Sequence, residues 1–145
     1  MSEPSYTAPD IALVGADHVK RYRETDGEVG YIWNGVTALL LTTTGRKSGE
    51  PRTSALIFGR DGEDYLIIAS QGGAPTHPNW YHNIQDHPDC EIQVRAEHIP
   101  VTARTATAEE KPRLWKIMAD AWPNYDTYQT RTDRDIPLVV LTRRG

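Results

Sequence analysis

A cluster of basic side chains lies in and just after a turn bracketed by glycines, Gly45-Arg46-Lys47-Ser48-Gly49. The residues before it, Leu39 to Thr44, are apolar and β-branched, and a second strand-like run extends from Glu50 to Phe58 and contains Arg52. This pattern predicts two antiparallel strands whose connecting loop carries the cations. Guanidinium groups bind phosphate or carboxylate through paired hydrogen bonds, and the two glycines would let a bulky anion approach the backbone. The segment therefore predicts an anion-binding site.

Charged turns are also common simply because turns are solvated, so a ligand needs further support. Arg52 lies in the predicted strand rather than in the turn, and no acidic residue occurs between Thr37 and Gly49. The chain as a whole carries a formal net charge of -4, so this positive patch contrasts with its surroundings. A local basic cluster on an acidic protein favours a small anionic ligand and argues against nucleic acid.

The length and composition are those of one soluble globular domain. The 145 residues are 38% hydrophobic and 25% charged, enough to bury a core. Cys90 is the single cysteine, which excludes a disulfide framework and fits a reducing compartment. No apolar run approaches the about 20 residues that span a bilayer, and the N-terminus lacks a secretory signal pattern. These features predict a cytoplasmic protein.

The residue pattern predicts a mainly β protein with peripheral helices, in which residues 1–35 form an N-terminal tail and helix and residues 36–145 form the barrel. Helices are predicted over 10–25, over Asn79 to Asp86 and after a capping box that starts at Thr107. Six strands are predicted, at residues 39–44, 50–58, 63–69, 90–94, 99–105 and 136–141. Most are joined by hairpins, which indicates an antiparallel barrel with helices packed outside.

The loop Ser70 to Pro78 is the second candidate ligand site. It follows a predicted buried strand, has paired glycines and shows no periodicity. Such a loop can bring backbone close to the flat ring of a ligand.

The predicted N-terminal helix has a basic side that could contact an anionic membrane surface through Lys20, Arg21 and Arg23. Acidic residues on the same segment offset this charge, so packing of the helix on the domain is the preferred interpretation.

Other chemistries fit the sequence less well. His77, His82 and His87 recur at intervals of five, which does not place a pair on one helix face as a zinc site would require, so no metal is predicted. Cys90 alternates with polar neighbours in a strand and is predicted to be core rather than nucleophile. No Rossmann dinucleotide fingerprint and no P-loop occur.

Three ordered motifs, TTTGRKSGEPRTSALIF, IASQGGAPTHPNWYHNIQDHPDCEIQV and WPNYDTYQTRTDRDIPLVVLTR, resemble the deazaflavin-dependent nitroreductase family of actinobacteria. The resemblance runs from about Val36 to the C-terminus. It implies the split β-barrel of the FMN-binding, pyridoxamine-oxidase-like type. It also implies reduction of quinones or nitroaromatics by F420H2, the reduced form of coenzyme F420, a deazaflavin with a phosphate and an oligoglutamate tail.

The resemblance assigns a role to each candidate residue. The polyanionic tail would be bound by Arg46, Lys47, Ser48, Arg52 and Ser54. The deazaflavin ring and its side chain would be lined by Ala69, Ser70, Gln71, Gly72, Gly73, Pro78, Asn79 and Trp80. Trp80 is more ambiguous, because an aromatic residue that opens a helix is more often a core residue than a cofactor contact. Asn83 would hydrogen-bond the ligand, the alternative being an amide on the helix surface.

Hydride transfer needs a positioned donor and acceptor in a dry site and no obligatory acid/base pair. Tyr125 and Tyr128 match tyrosines that form a mobile wall over the acceptor in related enzymes, whereas Trp122 stands where some relatives have another tyrosine. This difference favours quinones over nitroimidazole prodrugs. Ser70 or Tyr125 could donate a hydrogen bond to the acceptor oxygen as it gains charge, with Tyr128 beside them.

Two alternatives use the same fold. One is an FMN-dependent or haem-degrading relative, and the other is a carrier that binds F420 or another small ligand without turnover. The sequence leaves open whether the protein is a monomer or a homodimer.

Overall fold

A computed structural model of the chain describes residues 13–144. The predicted N-terminal tail and the first residues of the predicted N-terminal helix lie outside this range. In chain order the described elements are α1 (Gly15–Thr25), β1 (Ile32–Trp33), β2 (Val36–Thr44), β3 (Pro51–Ile57), β4 (Gly59–Asp61), β5 (Asp64–Ile68), a 3-10 turn (Gln71–Gly73), α2 (Asn79–Asp86), β6 (Asp89–Val94), β7 (Glu97–Thr105), α3 (Lys111–Ala121), α4 (Asn124–Thr130) and β8 (Leu138–Arg143).

The strands form one curled antiparallel sheet in the order β1-β2-β6-β7-β8-β5-β4, with β3 also paired to β2. All six predicted strands are present, and the predicted α+β split-barrel architecture is confirmed. The hairpin of β2 and β3 has Thr44 opposite Pro51, so the basic turn closes it as predicted.

Two short strands were not predicted. Between the second and third predicted strands, Gly59 to Asp61 form β4, and the chain reverses into β5 after Gly62. β1 has two residues and pairs with the start of β2. Elements of two or three residues are too short to show a periodicity.

Hydrophobic burial holds the sheet from both faces. Along β5, Ile67 belongs to one apolar cluster together with Leu39 and Leu41 of β2. The neighbouring residues Leu66 and Ile68 belong to a second cluster that includes α3. A strand covered on both sides is apolar at successive positions, which explains why β5 and β8 read as continuous apolar runs.

The predicted capping box before α3 is formed. The Thr107 backbone N–H donates to a Glu110 carboxylate oxygen at 2.8 Å, and the Glu110 N–H donates to Thr107 Oγ1 at 3.3 Å. The helix begins at Lys111 with Pro112 in its first turn, where a missing N–H is tolerated. The following polar segment was not predicted to be helical, yet residues 124–130 form α4.

α1 packs on the barrel through Tyr22, which is fully buried. Its hydroxyl accepts the Arg95 N–H at 2.8 Å and lies within donating distance of the carbonyls of Ala38 (3.1 Å) and Gln93 (3.2 Å). Burial raises the pKa of Tyr22, which keeps this hydroxyl protonated. Among residues 13–144, no helix is long and apolar enough to cross a membrane.

Replacing Tyr22 with Phe should lower the free energy of unfolding by about 1 to 3 kcal/mol, because the Arg95 N–H and the facing carbonyls lose their buried partner. Urea denaturation followed by circular dichroism measures the change. Tyr31→Phe is the matched control, since the half-buried Tyr31 hydroxyl makes no hydrogen bond to the described residues. Equal stability of the two variants would show that the Tyr22 hydroxyl does not anchor α1.

Candidate active site

The basic turn is closed by two short backbone hydrogen bonds. The Gly45 N–H donates to the Glu50 carbonyl and the Gly49 N–H donates to the Gly45 carbonyl, each at 2.8 Å. Gly49 has φ +73°, as expected for a glycine in a tight turn. At Gly45 the backbone passes too close to Ser48 and Glu50 to leave room for a side chain. A Cβ on Gly45 would lie 2.6 Å from Ser48 Oγ, so only glycine fits there.

One cavity of about 430 Å³ is lined by Arg46 and Lys47 of this turn and by Arg52 at the start of β3. Its wall is formed by Gly45, Arg46, Lys47, Ser48, Arg52, Asn79 and Asn83. Within residues 13–144, none of Arg46, Lys47 and Arg52 forms an ion pair with a carboxylate. Exposed and unpaired positive charge gathered at one concave surface is suited to an anion.

Asn83 fixes the turn against α2. The side chain is 5% exposed, its Oδ1 accepts the Arg46 backbone N–H at 3.0 Å, and its Nδ2 donates to Thr43 Oγ1 at 3.1 Å. The alternative of a surface amide is therefore wrong. Both ends of the amide already bond to protein, so Asn83 positions the cations, and its direct bond to a ligand stays a prediction.

A second cavity, of about 310 Å³, adjoins α2 on its other side and is mainly apolar and aromatic. It contains seven of the predicted residues: Ser70, Gln71, Gly72, Pro78, Trp80, Tyr125 and Tyr128. Residues that were not predicted complete it: Val14, Gly15 and His18 from α1, Trp33, Ala38, Ala55, Leu56, Ile57, Ile68 and Trp122. We call this space the aromatic cavity and the first one the cation cavity. Such a lining suits a flat ring system.

Four predicted contact residues lie elsewhere than expected. Asn79, predicted beside the ring, lines the cation cavity. Ser54, Ala69 and Gly73 line neither cavity in the described part of the chain. Ala69 is fully buried, and Gly73 lies beneath α4, where a Cβ would come 2.6 Å from the Tyr128 carbonyl. Their roles as cofactor contacts remain predictions.

Arg134 organises the loop between β5 and α2, and sequence reasoning missed it. Its guanidinium donates to the carbonyls of Ser70 (2.7 Å), Ala74 (2.8 Å) and Ala69 (3.2 Å). It also lies 2.8 Å from Nδ1 of His77. Burial, followed by the nearby Arg134 charge, lowers the pKa of His77, which keeps that nitrogen available as an acceptor. No sequence pattern indicated this role of Arg134, because it lies in a polar segment about 60 residues from the loop.

The predicted acceptor wall is formed by two packed tyrosines. Tyr125 is 4% exposed, and its ring meets that of Tyr128 edge to face at a centroid distance of 6.1 Å. Burial, with a smaller contribution from Tyr128, raises the pKa of Tyr125. The Tyr125 phenol therefore remains a hydrogen-bond donor at neutral pH. Ser70 is 8% exposed in the same cavity.

Cys90 is not poised to act as a nucleophile. Burial raises the pKa of the Cys90 thiol to about 11, which keeps it protonated and unreactive at neutral pH. No group of His, Cys, Asp or Glu within the described residues is arranged to hold a metal ion.

Comparison with known proteins agrees with this arrangement. A family model described as F420H(2)-dependent quinone reductase matches residues 15–143. The F420H(2)-dependent quinone reductase of Mycobacterium tuberculosis (strain H37Rv) is 47% identical over 131 residues, which cover 88% of each chain. A solved F420-H2 dependent reductase (FDR-A) is 40% identical, with a TM-score of 0.67 over 72% of this chain and 92% of that one. HutZ, the heme storage protein from Vibrio cholerae, shares the fold alone, with a TM-score of 0.59, 15% identity and 92% coverage of both chains.

The fold and the paired cavities define a split-barrel oxidoreductase. Within that class the chain belongs to the F420H2-dependent quinone reductase family, and its cofactor is coenzyme F420. The family resemblance read from the sequence is thereby confirmed, and the FMN or haem alternative is not favoured.

Replacing Arg134 with Lys should free the loop between β5 and α2, because a lysine keeps the charge but cannot reach several carbonyls with one planar group. We expect a loss of about 2 to 4 kcal/mol in the free energy of unfolding, since hydrogen bonds of charged groups are worth about 1.5 to 3 each and are not additive. Hydrogen exchange of residues 69–77 and urea denaturation measure the two effects. Arg21→Lys, at an exposed arginine of α1, is the control, and matching behaviour of the two variants would rule out this role for Arg134.

Proposed function

We propose that this enzyme binds F420 across both cavities, with the acidic tail in the cation cavity and the ring in the aromatic cavity, and transfers hydride to a quinone. The observation that carries the proposal is the shared wall. Pro78 and Trp80 line the aromatic cavity, while the intervening Asn79 lines the cation cavity. One extended ligand with a flat ring at one end and negative charges at the other would fill both spaces.

The cation cavity fits the phosphate and the glutamates of the cofactor by charge. Arg46, Lys47 and Arg52 would bind them, and Ser48 can donate a hydroxyl hydrogen while its Oγ accepts the Glu50 N–H at 3.2 Å. Because these cations carry no competing carboxylate partner, binding need not break an ion pair. Ser54 lies behind this group on β3 and would act only through the strand.

The aromatic cavity fits the chemistry of hydride transfer. The reduced deazaflavin supplies the hydride when it is bound. Tyr125, Tyr128 and Trp80 would exclude water and hold the acceptor against the ring. Ser70 and the protonated phenol of Tyr125 would donate hydrogen bonds to the acceptor oxygen on which negative charge develops.

Quinones are the preferred acceptors. Trp122 is 7% exposed, and its ring lies 5.8 Å from that of Trp33. The side of the aromatic cavity that these two tryptophans form is therefore bulky and carries no hydroxyl. A flat apolar acceptor would pack against it well. Reduction of nitroaromatics is the less favoured activity.

We place the enzyme in the cytoplasm, in keeping with its single free cysteine. On α1, Lys20 pairs with Glu24 at 3.9 Å, and Arg23 donates to Thr53 Oγ1 at 2.6 Å. These contacts favour packing of α1 on β3 over contact with a membrane surface.

Mixing the protein with F420H2 and menadione under anaerobic conditions should oxidise the cofactor and produce menadiol. Cofactor absorbance and product chromatography measure the reaction, and a nitroaromatic acceptor in parallel tests the less favoured activity. Tight F420 binding without turnover of either acceptor would identify a carrier instead of a reductase.

The double variant Lys47→Ala, Arg52→Ala should weaken F420 binding by about 2 to 4 kcal/mol, because charge-assisted hydrogen bonds are worth about 1.5 to 3 each and are not additive. Fluorescence titration measures the affinity. Arg60→Ala with Lys116→Ala removes the same two charges from exposed positions on β4 and α3, and we expect it to bind F420 normally. If both double variants behaved alike, the tail would lie outside the cation cavity.

A further inference from the structure

The aromatic cavity contains a titratable group to which the functions described above assign no role. His18 of α1 is 5% exposed and lines the cavity together with Ser70, Tyr125 and Tyr128. A buried histidine that borders a reaction space can supply or remove a proton there.

The hydrogen bonds of His18 identify which nitrogen is free to do so. Nε2 lies 2.8 Å from the Gly30 carbonyl, and a carbonyl only accepts, so Nε2 carries a hydrogen. Nδ1 makes no hydrogen bond to the described residues. Among the described residues, every side-chain nitrogen or oxygen that is fully buried has a hydrogen-bond partner. Because Nδ1 has none, it is not fully buried. The aromatic cavity borders this ring, and we infer that Nδ1 opens into it.

The ring is held from two sides. Trp33 stacks on it with a centroid distance of 6.1 Å and an interplanar angle of 21°. Gly30, with φ +102°, lies against the Cδ2–Nε2 edge of the ring, and a Cβ there would come 2.8 Å from Cδ2 of His18. This packing fixes the imidazole while Nδ1 gains or loses its proton.

The described elements packed against His18 present aromatic and hydroxyl groups to it, and no aspartate, glutamate, lysine or arginine lines the aromatic cavity with it. Its own helix contributes Tyr22, whose ring lies 6.5 Å away, and Trp33 and Gly30 contribute no ionisable group. Across the cavity stand Ser70, Tyr125 and Tyr128. In the described part of the chain no carboxylate or second cation pairs with His18.

We propose that His18 is the proton donor that completes quinone reduction, an inference that rests on the proposed function. A quinone that accepts the hydride supplied by bound F420H2 would gain two electrons and become a hydroquinone anion, and the second hydrogen of the oxidised cofactor would be released to solvent as a proton. The Nδ1–H of the His18 imidazolium transfers its proton to the anionic oxygen, while Nε2–H stays bonded to Gly30. Water then returns a proton to Nδ1.

Histidine suits this step better than its neighbours across the cavity. A serine hydroxyl holds its proton too tightly to release it at neutral pH. Burial raises the pKa of Tyr125, which makes it a hydrogen-bond donor that keeps its proton. Histidine is the side chain best suited to exchanging a proton near neutral pH.

The test uses His18→Gln, because the glutamine amide can still donate to the Gly30 carbonyl but cannot release a proton. His82→Gln on α2 is the control, since His82 lines neither cavity. We expect His18→Gln alone to lower kcat for menadione by about 10²-fold, the usual contribution of general acid catalysis, and to remove the decline of the wild-type rate with rising pH. F420 affinity should stay within about twofold of wild type.

A binding measurement tests the same group without turnover. The probe is 2-hydroxy-1,4-naphthoquinone, which is anionic at neutral pH, titrated into the protein loaded with oxidised F420. Its affinity for wild type should rise as the pH falls through the histidine range, and this rise should be absent in His18→Gln. If the variant does not fold, the wild-type pH dependence and the nitrogen NMR titration of His18 Nδ1 decide the question.

The outcomes separate this inference from the proposed function. Intact F420 binding and turnover with a wild-type pH profile in His18→Gln would overturn the role of His18 alone. Absence of F420 binding or of quinone turnover in the wild-type protein would instead overturn the proposed function. A wild-type probe affinity that does not change with pH would also overturn the role of His18.

Discussion

A single buried amide joins the two halves of the candidate site. Asn83 bonds the Arg46 backbone at one end and Thr43 at the other, and this ties the basic turn to α2. Without that tie, the turn between β2 and β3 would be an exposed loop with no fixed relation to the helix. With it, three exposed cations stand beside a wall that also borders the aromatic cavity. The proposed binding mode depends on this relation, because the ring and tail of one cofactor must be positioned together.

The barrel supplies the rigidity that such a site requires. β2 pairs with three neighbouring strands, and β5 and β8 are covered by apolar side chains on both faces. Cavity walls built on such elements hold their geometry closely. The loop between β5 and α2 has no periodic structure of its own, and Arg134 gives it a fixed shape by bonding several of its carbonyls. The half-buried Arg134 thus fixes the loop backbone by hydrogen bonds, as pairing with a neighbouring strand fixes a β-strand.

The parts of the fold that could be predicted are those set by local chemistry. The hairpin of β2 and β3 follows from two glycines between β-branched runs, and α2 has the predicted bounds because Pro78 precedes a helical pattern. β1 and β4 are too short for any pattern, and α4 shows no apolar periodicity because its buried residues include the polar Asn124 and Thr127. Arg134 and His18 act on partners that only the folded chain brings near. For the same reason, the motifs did not show that Asn79 lines the cation cavity.

The absence of a side chain at Gly73 has a consequence for how this enzyme could diversify. A Cβ on Gly73 would come 2.6 Å from the Tyr128 carbonyl oxygen, so the backbone of α4 packs directly on the loop that borders the aromatic cavity. Arg131 packs into the same contact, and its guanidinium lies 5.5 Å from the Tyr128 ring. A mutation that moves the tyrosine wall to admit a larger oxidant would therefore also shift the loop beneath it. Selection for new substrates is then expected to favour exchanges of side chains over displacement of α4.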